Sequence, residues 1–273
     1  LPIYSTLVSE LTTGVSDVDG DSHLGIAITA TNSSKGTLWF SLDDGDSWSK
    51  VGAVSDSSAL FLDANHRLYW QPAENENGTV SGAFTFRATD TQQGGEKGSV
   101  TTNGGTSHYS SNTDTVSVTV DPVNDAPIVT ADANYSISAT DEDTTSGETT
   151  VATLLAGVGY SDADTDAPSG VAITELNGNG TWQYDAQDDD NWTDMPSVSE
   201  SGALLLSAAT KLRYVPDGEN GEKPSITFRA WDQYTGAAST NGSAQTADVS
   251  TNGEATAFSA NTAKASLGVA SVN

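Results

Sequence analysis

The sequence predicts an all-β chain of two tandem Greek-key β-sandwich domains. Three observations carry this expectation: an internal repeat, short alternating strand patterns bounded by turn residues, and the lack of any helical period over ten residues.

The repeat is the strongest signal. Val15-Ser16-Asp17-Val18-Asp19-Gly20-Asp21 returns as Tyr160-Ser161-Asp162-Ala163-Asp164-Thr165-Asp166. Arg67-Leu68-Tyr69-Trp70-Gln71-Pro72 returns as Lys211-Leu212-Arg213-Tyr214-Val215-Pro216, and Phe84–Asp90 returns as Ile226–Asp232. Thr102-Asn103-Gly104 matches Thr251-Asn252-Gly253. The offset drifts between 142 and 149, as small loop insertions between fixed strands would make it. Asp121-Pro122-Val123-Asn124-Asp125-Ala126-Pro127 lies between the copies, so the expected domains are residues 1–125 and 126–273.

Within each copy, runs such as Gly25–Thr29, Phe84–Ala88 and Thr115–Val120 alternate between apolar and polar residues and end at Asn, Gly, Asp or Pro. About seven such strands per copy fit a Greek-key sandwich. Gly36–Trp48 and Gly180–Trp192 are expected hairpins, with Asp-Gly and Asp-Asp at their tips. The recurring Trp, Tyr and Phe residues are expected to fill the core or pack on hairpins rather than stack sugars. Copy one begins without the first strand and the Asp-Glu-Asp segment that copy two has at 135–143. Either that part lies outside the sequence, which is the favoured expectation, or another domain is inserted ahead of Leu1.

Composition narrows the function classes. There are 37 acidic against 10 basic residues, a net charge of −27, which disfavours nucleic acid and anionic lipid as partners. Asp dominates the acids, and its short carboxylate suits tight loops around a hard cation. Cysteine is absent, so neither disulfides nor thiolate metal sites hold the fold. No run of 18 apolar residues occurs, and no basic region precedes an apolar stretch at the start. Membrane insertion is therefore not expected, and export would be directed from outside these residues.

Strand order indicates which acids meet. In such a sandwich the loop between the second and third strands and the end of the sixth strand reach the same end. That places Asp162, Asp164 and Asp166 beside Asp232, with Asn124 and Asp125 entering the same space. Glu74 and Glu76 of copy one are expected to approach that junction, and Asp17, Asp19, Asp21 and Asp90 are the repeat equivalents. Carboxylates held within about 4–6 Å raise one another's pKa. A cation taking six to eight oxygens relieves that repulsion, and flexible loops favour Ca²⁺ over Mg²⁺.

Asp121-Pro122-Val123-Asn124-Asp125-Ala126-Pro127 resembles the cadherin linker motif, and Asp162-Ala163-Asp164 resembles the cadherin Asp-x-Asp motif. The copy as a whole, including Thr140-Asp141-Glu142-Asp143-Thr144 and Phe228-Arg229-Ala230-Trp231-Asp232, is similar to the cadherin-like (Ig-like) repeats of large bacterial RTX-type adhesins. The resemblance implies domains arranged end to end as calcium-rigidified extenders on the bacterial cell surface, serving cell adhesion or biofilm formation. It adds Asp121 and Glu142 to the expected ligands and makes neighbouring repeats of the same chain the first partners. The linker lacks the second Asn usual in cadherins.

Other chemistries carry less weight. Ser41-Leu42-Asp43-Asp44-Gly45-Asp46-Ser47-Trp48 fits the Asp-box pattern of sialidases and propeller proteins, but that box is a hairpin-turn device. The chain holds only Arg67, Arg87, Arg213 and Arg229; Arg87 and Arg229 are repeat-equivalent and Arg67 and Arg213 lie on matching strands, so no substrate-binding arginine cluster is indicated. Paired carboxylates for glycoside hydrolysis would be unique to one place, whereas these acids recur with the repeat. No nucleophile-elbow, metalloprotease or phosphate-loop motif occurs, and no enzyme activity is expected. The alternative function is a calcium-dependent module for a host or surface glycan or a peptide. Copy-specific features would serve it best: Asp188-Asp189-Asp190, or the loops with His23, His66 and His108.

Overall fold

The computed structural model describes residues 4–17, 23–91 and 94–272. The chain is nearly all β and divides into two compact units, Leu1–Pro122 and Val123–Asn273. The division falls slightly ahead of the expected boundary, so Asn124 and Asp125 belong to the second unit.

The first unit contains β1 (Thr6–Leu7), α1 (Val8–Leu11), β2 (Gly25–Thr31), β3 (Gly36–Ser41), β4 (Ser49–Lys50), β5 (Ala59–Asp63), β6 (Arg67–Pro72), β7 (Gly78–Thr89), β8 (Lys97–Gly98) and β9 (Asp114–Val120). Its two sheets have the orders β1-β6-β3-β4 and β8-β5-β2-β7-β9. Ile26, Ile28, Leu60 and Leu62 of one sheet share a core with Leu38, Leu68 and Trp70 of the other. Strict alternation was the expectation for Gly25–Thr29, yet its residues up to Thr29 are all buried. The reason is a second apolar layer: Ala27, Ala59 and Phe61 point away from the main core and are covered by Val100 and Tyr109. Phe61 and Tyr109 stack there with ring centres 5.7 Å apart.

The second unit contains β10 (Asn134–Ser136), β11 (Thr140–Asp141), β12 (Thr149–Thr150), α2 (Val151–Gly157), β13 (Gly170–Asn177), β14 (Thr181–Asp185), β15 (Thr193–Asp194), β16 (Ala203–Ser207), β17 (Lys211–Val215), β18 (Ser225–Trp231), β19 (Thr246–Ala247), β20 (Ala263–Ser266) and β21 (Val269–Ala270). Its sheets run β12-β17-β14-β15 and β19-β16-β13-β18-β20-β10, with β11 paired to β21. From β12 to β20 this order repeats that of β1 to β9 strand for strand. The addition is β10 and β11, which lie parallel to β20 and β21. The two-layer burial repeats as well, with Ala172, Leu205 and Trp231 covered by Val249, Ala257 and Phe258.

Equivalent residues do equivalent jobs. Gly25 opens β2 and Gly170 opens its equivalent β13, and a Cβ on either would sit 2.6 Å from the carbonyl oxygen of Leu62 or Leu206. Both expected hairpins form, as β3–β4 and β14–β15. Asp44 (φ 58°), Asp188 (φ 55°) and Asp190 (φ 62°) turn their tips in the left-handed region that Asp tolerates. The helices were not expected. At four and seven residues they are shorter than any window in which a 3.6-residue period shows. No helix among the described residues is long and apolar enough to cross a membrane.

Candidate functional site

The acids that converge lie at one end of the second unit. β18 delivers Asp232 just past its last residue, and the loop ahead of β13 delivers Asp162 and Asp164. The chain entering the unit runs across both. Asn124 Nδ2 donates to Asp232 Oδ2 at 2.8 Å and to the Thr256 carbonyl at 3.0 Å. The Asp125 N–H donates to Asp164 Oδ2 at 2.9 Å, and the Asp164 N–H donates to Asp162 Oδ1 at 2.9 Å. Ala126 N–H reaches the Glu254 carbonyl, and Ile128 bridges Ser161. The Tyr160 hydroxyl donates to Asp162 Oδ2 at 3.3 Å, and the Tyr234 N–H donates to Asp232 Oδ1 at 2.8 Å.

Asp232 is 2% exposed, and burial pushes its pKa up. The negative charges of Asp162 and Asp164 add to that rise, against the Tyr234 N–H and the Asn124 amide, which favour the carboxylate. Burial also raises the Tyr160 hydroxyl, helped by the carboxylates of Asp162 and Asp232. Three acids at this end therefore feel one another. Each oxygen that accepts one hydrogen bond retains a further lone pair. The donor chemistry fits a hard cation. The arrangement itself is a hydrogen-bonded ring of loops rather than a cage. Among the described residues no group of three or more His, Cys, Asp or Glu side chains is disposed as metal ligands.

The remaining candidates are placed elsewhere. Asp166 is exposed, with φ 63° in its loop. Glu142 does not join Asp162 and Asp232. It follows β11 at the opposite end of the strands, where its N–H donates to the Ala270 carbonyl and its Oε1 accepts from Val272 N–H at 3.0 Å. Its Oε2 is buried without a partner. In the first unit, Asp17 and Asp90 line one cavity of about 220 Å³, and His108 Nδ1 lies 2.9 Å from Asp90 Oδ1. Asp19 and Asp21 lie outside the described residues. Glu74 and Asp121 are exposed, and Glu76 is engaged by Lys35 at 2.9 Å.

Tyr160, Thr256 and His108 contribute to these ends without having been singled out for that role. The arginines have structural roles. Arg87 Nη1 donates to the carbonyls of Ser110 and Ser111, and Arg229 Nη1 to those of Ser259 and Ala260. The Asp-box hairpin is closed by its own acid: Asp43 accepts from the Ser47 N–H at 2.8 Å and from the hydroxyls of Ser47 and Ser41. In the second unit Asp185 stands at the position of Ser41 and accepts from the Asp189 and Asp190 N–H groups and from Asn241.

No family model matches the chain, and no curated protein matches it. Among solved structures, the endo-fucoidan hydrolase MfFcnA4 of glycoside hydrolase family 107 aligns over 93% of this chain at 18% identity, with a TM-score of 0.28. A variant of that enzyme aligns over 93% at 17% identity, with a TM-score of 0.29. This chain spans 24% of the length of either protein, and at those scores the likeness carries no argument about fold or activity.

Proposed function

We propose that the chain is a calcium-stiffened extender of a bacterial surface adhesin, two cadherin-like Greek-key modules arranged end to end, with neighbouring repeats of the same polypeptide as partners. The observation that supports this most is the ring around Asp232. There a buried acid with a raised pKa faces two further carboxylates, and the entering chain at Asn124 and Asp125 is tied directly to them. Calcium bound by Asp162, Asp164 and Asp232 would neutralise that repulsion and hold the segment ahead of the unit in place. Extracellular modules of this kind bind calcium with Kd values of about 10⁻⁴ to 10⁻³ M, a range suited to a secreted protein. The arginines and the hairpin acids are engaged in holding loops, which favours a scaffold over an enzyme.

The test is thermal unfolding and small-angle scattering of the full chain, first with calcium and then with chelator. Calcium at about 100 times Kd should add about 2.7 kcal/mol per site. The scattering profile should be that of a rigid extended particle only in its presence. An unchanged Tm and an unchanged profile on chelation would overturn the reading.

A further inference from the structure

The turn between β5 and β6 is built on a histidine that the fold buries. His66 is 6% exposed; its N–H donates to the Asp63 carbonyl at 3.0 Å, and its Nδ1 accepts the Asp63 N–H at 2.9 Å. A ring nitrogen that accepts carries no proton, so this imidazole is neutral with its proton on Nε2. The segment 94–96 lies over the ring, where a Cβ on Gly94 would come 3.8 Å from Cε1. Gly95 N–H donates to the Phe61 carbonyl and Phe61 N–H to the Glu96 carbonyl, both at 3.0 Å, which holds that segment to β5. The turn is also a dock for β1 and α1. Val8 N–H donates to the His66 carbonyl and Ser9 N–H to the Ala64 carbonyl, both at 3.0 Å, and Val8 is thereby seated in the core.

The second unit keeps this dock and changes its chemistry. Ser207 stands opposite Gly170 as Asp63 stands opposite Gly25, so Thr210 takes the place of His66. Val151 N–H donates to the Thr210 carbonyl and Ala152 N–H to the Ala208 carbonyl, both at 2.9 Å, and Thr210 N–H donates to the Ser207 carbonyl at 3.0 Å. The side chains at this turn are two hydroxyls, Ser207 Oγ and Thr210 Oγ1, 3.3 Å apart. Neither changes charge between about pH 5 and pH 8, the range in which an ordinary imidazole does.

We propose that His66 is an acid-sensitive latch of the first unit: a proton taken from solvent at Nδ1 removes the acceptor that closes the β5–β6 turn and loosens β1 and α1 from it. The protonated nitrogen would face the Asp63 N–H, donor against donor, in a site closed to water. The elements packed on the turn bring four charged groups. Asp63 ends β5 and Glu96 lies in the covering segment, and both favour the imidazolium, but burial outweighs them and sets the His66 pKa below the ordinary 6.5. Arg67 of β6 is engaged by Asp44 and Ser5, and Glu10 of α1 is exposed. A lowered folded pKa means that the latch is fully closed above about pH 6.5 and loses stability as the pH falls below it. The proposal does not depend on the calcium reading, because none of the acids around Asp232 takes part.

The test is amide hydrogen exchange of the full chain in chelator, at about pH 7.5 and about pH 5.5, read as protection factors so that the intrinsic pH dependence is removed. Protection of Val8, Ser9 and Asp63 should fall by up to about tenfold at the lower pH, the limit set by an ordinary imidazole in the opened turn. Val151 and Ala152, their counterparts on the Thr210 turn, should keep their protection and serve as the internal control. His66→Asn retains an acceptor near the place of Nδ1 without a titrating group, and His66→Thr installs the residue of the second unit; in either variant the fall should vanish. Proton NMR of the His66 ring follows its titration in the unaltered chain, so the result does not hang on a variant that folds. A His66 midpoint at or above 6.5 overturns the proposal, as does an equal loss of protection in the two units or a fall that survives in either variant.

Discussion

β9 and β20 occupy the same place in two copies of one sandwich, yet among the described residues only β20 has a strand on its outer side. The inward residues of β20 and the strand segment after it are buried, whereas those of β9 are half in water. The rest of the sheet order is unchanged between the units. What the covering segment contributes is burial at the rim and, through Asn124 and Asp125, a tie to the acidic end of the unit.

The comparison breaks most readily at the rim itself. Leu267→Ala should cost about 2–5 kcal/mol, as deletion of a fully packed leucine does. Val118→Ala should cost about 1 kcal/mol or less, because much of its surface is already hydrated. Urea titration of the full chain reads both, and equal losses would show the two edges to be energetically alike.

Next in size is the response to calcium. The double variant Asp162→Asn with Asp164→Asn should lose most of the roughly 2.7 kcal/mol expected at saturation. Calorimetry with and without chelator measures this, and a full calcium response in the double variant would move the site elsewhere.

A smaller difference lies in the helices. Thr150 caps α2, its Oγ1 accepting from the Thr153 N–H at 3.1 Å, whereas Leu7 ahead of α1 makes no side-chain cap bond. Thr150→Ala should cost about 1 kcal/mol, read as a fall in Tm with an unchanged m-value.

The smallest effect concerns acid. Hydrogen bonds from the side chain and N–H of Ser47, and from Ser41, hold the Asp43 pKa at about 2, below the ordinary 3.8. A depressed folded pKa means that this stabilisation is full above about pH 4 and is lost as the pH falls through about 2. Asp43→Asn should make the Tm of the chain fall less steeply between pH 4 and pH 2, and an identical slope would remove Asp43 from the account. Asp185 feels burial first, which raises its pKa, but Asn241 and the N–H groups of the 187–190 turn prevail and lower it. The corresponding hairpin of the second unit should therefore share the trend.

Much of the fold was legible because it is written twice. Phe84–Ala88 and Ile226–Ala230 alternate, return at a near-constant offset and form the same central strand. The second apolar layer was not legible, because Ala27, Phe61 and Tyr109 come together only after a loop folds back over the sheet. At the candidate site, Asp162, Asp164, Asp232, Asn124 and Asp125 were brought to one end by strand order alone. The place of Glu142 was not legible, because the resemblance named it without an end of the sandwich. The Lys35–Glu76 ion pair was not legible, because the two residues, 41 apart in sequence, meet only once β3 and β6 pair.

The parallel pairing of β10–β11 with β20–β21 has a mechanical consequence. The chain enters the second unit beside Asp232 and leaves it beside Glu142, at opposite ends of the same two adjacent strands. Tension between those points slides the strands past each other, so the bonds Lys264 N–H to Ala133, Ile137 N–H to Ser266, Thr140 N–H to Gly268 and Glu142 N–H to Ala270 share the load at once. A zipper would release them one by one; in shear they must fail together. Among the described residues, β9 of the first unit carries no such parallel clamp.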